Sequence, residues 1–196
     1  MSEHPEVTAS KINRTKAIEI IPVKFKQQEE KLLNKVEKSK KNPTAKLIDL
    51  YEFMGGLSVS FNHLTPCKKG CSYCCEIRVD VSELELSLIK LKAKKAYNNA
   101  KKDLLIGEPC PFLHNGSCSI YEVRPFVCRR HQVFTPTNSL CINNEELGQE
   151  LLSFSEVDAS YLHILNESNC GKSKDIREYF HTGTFKNKKT LCVIHE

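Results

Sequence analysis

The chain has 196 residues, 40% of them hydrophobic, and carries 29 Lys and Arg against 24 Asp and Glu for a formal charge of +5. That length and apolar content suit one domain with helical extensions and exclude wholesale disorder. No run approaches the length of a membrane span. Residues Met1 to Lys16 hold neither the apolar core nor the small-residue cleavage site of a secretory signal, so the expected location is cytoplasmic.

In chain order, residues 1–22 read as a polar lead-in ending at Ile20, Ile21 and Pro22. Residues 23–56 read as a helical hairpin. Phe25, Leu32, Leu33 and Val36 give a rough apolar stripe, Asn42-Pro43 breaks it, and a second helix runs from Thr44 through Leu47, Ile48, Leu50, Tyr51 and Phe53. Gly55-Gly56 is the expected stop, because glycine enters left-handed backbone without a Cβ penalty. Lys24 to Lys46 holds eight lysines against three glutamates, and a second lysine-rich stretch spans Lys90 to Lys102. Both read as solvated helix faces. Arginines and aromatics for stacking bases are not interleaved with these lysines, and the chain has no Trp, so nucleic acid is not an expected partner.

Residues 63–141 hold the main signal. Cys67, Cys71, Cys74 and Cys75 follow a C-x3-C-x2-C-C spacing, and Cys110, Cys118 and Cys128 return about 35 residues later, with Cys141 as an eighth member. Separations of two or three residues let one turn point successive sulfurs inward at a shared ion. Adjacent Cys74 and Cys75 are expected to project apart, which suggests two sites or one bridged site, and eight cysteines divide into two sets of four thiolates. In a reducing compartment clustered thiols favour metal over disulfides. Zinc and iron-sulfur clusters both accept such a set. Two zinc ions on eight thiolates would add about −4 to the charge, bringing the loaded protein close to neutral. Cys170 and Cys192 lie outside the groups and read as ordinary thiols.

Between the two groups, Glu76 to Val81 alternates as a short strand or extended connection would. Ser82 with Glu85 three residues on is a capping box, opening a helix expected to run to about Lys102 with Leu84, Leu88, Ile89 and Leu91 on its apolar face. Pro109 and Pro111 fix the backbone around Cys110, and Asn115-Gly116 signals a tight turn in a compact second knuckle. Residues 142–196 form a C-terminal extension. Helices are expected at Glu145 to Leu152 and Glu156 to Leu165, then a short one at Asp175 to Phe180, then a lysine-rich tail.

The C-x3-C-x2-C-C run, followed by Cys110-Pro111-Phe112-Leu113, then Cys118 with Ile120-Tyr121 and Arg124-Pro125, then Cys128-Arg129, resembles the YkgJ-type cysteine-cluster family. The resemblance covers His63 to Cys141 and implies chelation of zinc or iron without a known reaction. It marks Cys67, Cys71, Cys74, Cys75, Cys110, Cys118 and Cys128 as the family's cysteines, with Cys141 a looser match. A similar cluster occurs in flagellin lysine N-methylases, so an iron-sulfur-dependent enzyme or accessory protein is the alternative function. Cys67, Cys71 and Cys74 with Tyr73 also match the cluster motif of radical SAM enzymes, but only 121 residues follow Cys75, too few for their barrel.

Around the cysteines, Arg124 and Arg129 are placed to donate to thiolate sulfur or loop carbonyls, and Tyr121 and Phe126 to cover the cluster as a hydrophobic lid. His63, His114 and His131 are reserve ligands. No Ser/His/Asp constellation or paired carboxylate stands out, so binding is expected in preference to catalysis. The expected fold is mainly α, with helices packed around an irregular cysteine-rich metal-binding centre. The expected partners are a metal ion and a protein partner, with no membrane.

Overall fold

Two apolar helical stripes, at residues 43–59 and 155–168, need a common partner, and each supplies it for the other. The computed structural model describes residues 5–142 and 152–182 and is mainly helical, as expected. Its elements in chain order are α1 (Pro5–Ile20), α2 (Val23–Glu29), α3 (Leu32–Lys38), α4 (Pro43–Val59), β1 (Asp80–Ser82), α5 (Glu83–Lys92), α6 (Lys94–Asn98), β2 (Leu113–His114), β3 (Ser117–Cys118), α7 (Phe126–Arg130), α8 (Ser139–Ile142), α9 (Ser155–Ser168) and β4 (Ser173–Asp175). Helix α9 lies across α3 and α4, where Leu32, Val36, Leu47, Leu50, Leu84, Leu88, Val157 and Ile164 make one core. A second core, under the cysteine loops, joins Val79, Val81, Leu86, Ile89, Phe112, Ile120, Ile176 and Phe180.

Local chemistry explains several boundaries. Asn42 caps α4 by accepting from the Ala45 N–H at 2.9 Å, with Pro43 in the first turn where its missing N–H costs nothing. The α5 capping box forms as the sequence dictates. Asn115 and Gly116 both take positive φ, and β2 and β3 pair across them in an antiparallel hairpin. Strand β1 pairs antiparallel with β4, so the segment after Cys75 is tied to the C-terminal region.

Three expectations are corrected. Residues 5–20 form a helix whose Ala17, with Ile21, packs against Leu57, Phe61, Phe134 and Leu152; its polar composition hid the few apolar positions that matter. Gly55 and Gly56 do not end α4, which runs on to Val59. A Cβ on Gly56 would stand 3.2 Å from the Phe25 ring, so the glycine serves close packing and not termination. Helix α5 stops at Lys92 and a separate short helix follows, which sets Tyr97 edge-on to Phe180 at 5.4 Å. The helix expected from Glu145 and the lysine-rich tail lie outside the described residues.

Glu85 is 1% exposed and its carboxylate joins four parts of the fold. Oε1 accepts from Tyr51 Oη on α4 at 2.6 Å and from the Phe126 N–H at the start of α7 at 2.7 Å. Oε2 accepts from the Ser82 N–H at 2.9 Å, Ser82 Oγ at 2.8 Å and Tyr161 Oη on α9 at 2.7 Å. Burial and the neighbouring carboxylate push both tyrosines well above the usual range, so they stay protonated and donate. The Phe126 ring stacks on Tyr161 at 4.0 Å, and the Arg129 guanidinium lies over Tyr51 at 4.2 Å. Helix α7, which carries Cys128, is thereby fixed to the helical core.

Glu85→Ala strands several buried donors and is expected to cost about 4 kcal/mol or more, whereas Glu85→Gln keeps one acceptor oxygen and loses about 1–3 kcal/mol. Denaturant unfolding measures both; a loss under about 1 kcal/mol for the alanine variant contradicts the hub. Asp175 is fully buried. Burial raises its pKa, but the Arg177 and Val79 N–H groups and the Arg177 guanidinium outweigh that and hold it below the usual carboxylate range. A carboxyl lowered on folding stabilises above its unfolded pKa of about 3.9, and this contribution is lost as pH falls through the folded value. Asp175→Asn is expected to be less stable at neutral pH and to show a shallower loss of stability below about pH 4, read from unfolding curves across that range.

Candidate metal centre

Each cysteine is presented by a short, locally determined turn. The Cys71 N–H donates to Lys68 O at 2.9 Å, and Gly70 at φ +97° closes that turn, so Cys67 and Cys71 flank a tight bend. Cys74 and Cys75 sit on a single 3₁₀ turn, Tyr73–Cys75, closed by the Cys75 N–H on Ser72 O at 2.9 Å. Cys118 lies on β3 opposite Leu113, Cys128 on α7 after Pro125, and Cys141 on α8 beside the Tyr73–Cys75 turn.

Backbone bonds then join segments distant in sequence. The Cys110 N–H donates to Cys75 O at 2.8 Å, tying the second group to the first. Cys67 Sγ accepts from the Val133 N–H at 3.4 Å, a bond of the kind that stabilises sulfur carrying negative charge. Arg177, 1% exposed, spans three loops through its guanidinium. It donates to Cys75 O at 3.1 Å, to Ile77 O at 3.3 Å and to Glu108 O at 2.6 and 2.8 Å, with the Asp175 carboxylate at 3.0 Å balancing its charge.

Among the described residues eight cysteines are free thiols, each partly buried: Cys67, Cys71, Cys74, Cys75, Cys110, Cys118, Cys128 and Cys141. Their mutual influence falls into two neighbourhoods. Cys141 feels Cys67, Cys71 and Cys74; Cys128 feels Cys110, Cys74 and Cys118. Cys74 belongs to both. Cys75 also acts on the Cys74 thiol, since the two share one 3₁₀ turn. Burial, then repulsion among neighbours, raises the thiols: Cys110 and Cys141 to about 11, and Cys128 further. For Cys74 the bond to Cys75 is the largest cause, ahead of burial. Without a cation these sulfurs keep their protons.

The donor set fits a thiophilic metal in type and neighbourhood. It is not a finished coordination shell, since among the described residues no three His, Cys, Asp or Glu side chains stand close enough to hold one ion. A tetrahedral thiolate site with bonds near 2.3 Å draws its sulfurs to within about 3.8 Å of one another, whereas neutral thiols have no such attraction.

The neighbours divide. Arg124 faces Cys74, Cys118 and Cys128 and lowers the pKa of each, and its Nε is buried without a hydrogen-bond partner among the described residues. Arg129 donates instead to the carbonyls of Arg124 and Glu122 and braces the knuckle from behind. Tyr121 lies beneath the Arg124 guanidinium at 4.2 Å, but Phe126 is buried in the helical core and is no lid, because its N–H and ring are committed to Glu85 and Tyr161. His63 is exposed, while His114 and His131 are partly buried, and burial lowers the His131 pKa. Cys170 is in a disulfide and not an ordinary thiol; Cys192 lies outside the described residues. Sequence reading missed Arg177. The Asp175-x-x-Glu178 capping box was its one local signal, since a cation inside an otherwise apolar turn needs partners that only the folded chain supplies.

Comparison with known proteins agrees with this centre. Residues 66–150 match the CxxCxxCC family model, described as a "putative zinc- or iron-chelating domain". No curated protein and no solved structure matches the chain significantly. The match takes in all eight clustered cysteines and leaves Arg177 outside. Over residues 66–150 the chain is thus similar to the CxxCxxCC cysteine-cluster family.

Proposed function

We propose that the protein binds zinc or iron through Cys67, Cys71, Cys74, Cys75, Cys110, Cys118, Cys128 and Cys141, as two tetrathiolate sets meeting at Cys74-Cys75. One set is Cys67, Cys71, Cys74 and Cys141; the other is Cys75, Cys110, Cys118 and Cys128. The observation that carries this reading is the 2.8 Å backbone bond from the Cys110 N–H to Cys75 O, which brings the two cysteine groups together, with Cys74 acting electrostatically on Cys128 and Cys141. Thiolates are soft ligands that suit zinc or iron in tetrahedral sulfur geometry. Arg124 offsets part of the negative charge, and the N–H on Cys67 Sγ fixes that sulfur's orientation. The metal serves structure and storage in this reading, not a reaction.

A cytoplasmic location belongs to the same proposal, because thiolate ligands persist where thiols are kept reduced. Among the described residues no helix is long and apolar enough to cross a membrane. The disulfide at Cys170 points the other way. Cys170 itself packs against the helical core around Leu165.

A thiolate site of this kind contributes on the order of 10 kcal/mol to folding, comparable to the stability of a whole domain. Cys71→Ser and Cys118→Ser are expected to lower metal content and melting temperature together, one from each set. Elemental analysis of anaerobically purified protein checks this, and wild-type stoichiometry in either variant removes that residue from the ligand set. The same sample decides the metal: a visible thiolate-to-iron absorption identifies iron, and a colourless protein containing zinc identifies closed zinc sites.

A further inference from the structure

A groove of 640 Å³ opens beside the cysteine centre, with Cys118 in its wall. Three separate segments build it: Lys69 on the first cysteine loop, Lys92, Lys94 and Lys95 at the α5–α6 junction, and His114 with residues 118–123 on the knuckle. Four lysines face one acid, Glu122, which stands 3.7 Å from Lys69. Lys92, Lys94 and Lys95 make no ion pair among the described residues. Ala93, Ala96, Ile120 and Val123 give the groove an apolar floor. The break in the helix at Ala93 is what turns these lysines into a wall; an unbroken helix to Lys102 would have spread them around its surface.

A positive rim repels a bare dication and attracts an anion. The volume suits a small molecule, and lysines, each with three donors on a flexible stem, suit several carboxylates at once. We propose that this groove binds a small polycarboxylate, the anionic chelate in which metal is presented to Cys118. The inference rests on the metal-binding reading above. Carboxylate oxygens are hard ligands and yield zinc or iron to thiolates. The handover breaks a carboxylate–metal bond and forms a thiolate–metal bond, and the thiol proton passes to the freed carboxylate.

The test uses the full chain as purified, with citrate as the probe. Wild-type protein is expected to bind citrate by calorimetry, more weakly as salt rises, and Lys94→Glu/Lys95→Glu to weaken binding about tenfold with metal content unchanged. Both substitutions are exposed and lie in the first turn of α6, where acidic residues are tolerated. Lys31→Glu/Lys35→Glu makes the same charge change on a different face and is expected to bind citrate as wild type does. An isotopically enriched form of the resident metal, given as its citrate complex, is expected to exchange into the wild type faster than into the Lys94/Lys95 variant. Absent citrate binding, equal loss in both double variants, or equal exchange rates overturn the groove assignment while leaving the metal reading intact. Purified protein without metal overturns the reading beneath it.

Discussion

The buried carboxylate of Glu85 is the constraint on which the rest depends. A charge out of water is tolerated only when its lone pairs are satisfied, and here five donors from four segments satisfy them. Each donor is drawn to one point, so α4, α5, α7 and α9 are held in register by a single group. The stacked Phe126–Tyr161 pair and the Arg129–Tyr51 contact surround that point and keep water away from it. Apolar packing alone would allow α7 to slide. The Phe126 N–H bond to Glu85 does not, and Cys128 stands two residues further along.

Arg177 plays the matching part on the other side of the cysteine loops. Irregular loops leave carbonyls without secondary-structure partners, and a planar guanidinium with five donors can gather several of them. Cys75 O, Ile77 O and Glu108 O converge on it, and the β1–β4 pairing delivers it to that position. The cysteine centre is therefore built between two anchors. One is an anion buried among helices and the other a cation buried among loops, and neither carries a sulfur.

This division explains what could be read in advance. Turn chemistry is local, so the Asn42-Pro43 helix start, the Ser82/Glu85 cap and the Asn115-Gly116 hairpin were legible from residue types alone. Gly55-Gly56 misled because the same residue serves as helix stop or packing notch, and only the Phe25 ring decides which. The first helix was hidden because its buried positions are sparse among polar ones.

The sequence by itself determined the donor inventory, since eight clustered thiols with turn-forming neighbours specify soft-metal chemistry wherever they lie in space. Only the tertiary structure decided that the Cys110 N–H meets Cys75 O, joining the two cysteine groups, and that lysines from one helix junction line a groove with Cys118. The physical reason is range. Backbone turns are set by neighbours two to four residues away, whereas Glu85 and Arg177 act through partners up to 102 residues distant, and no local pattern encodes those meetings.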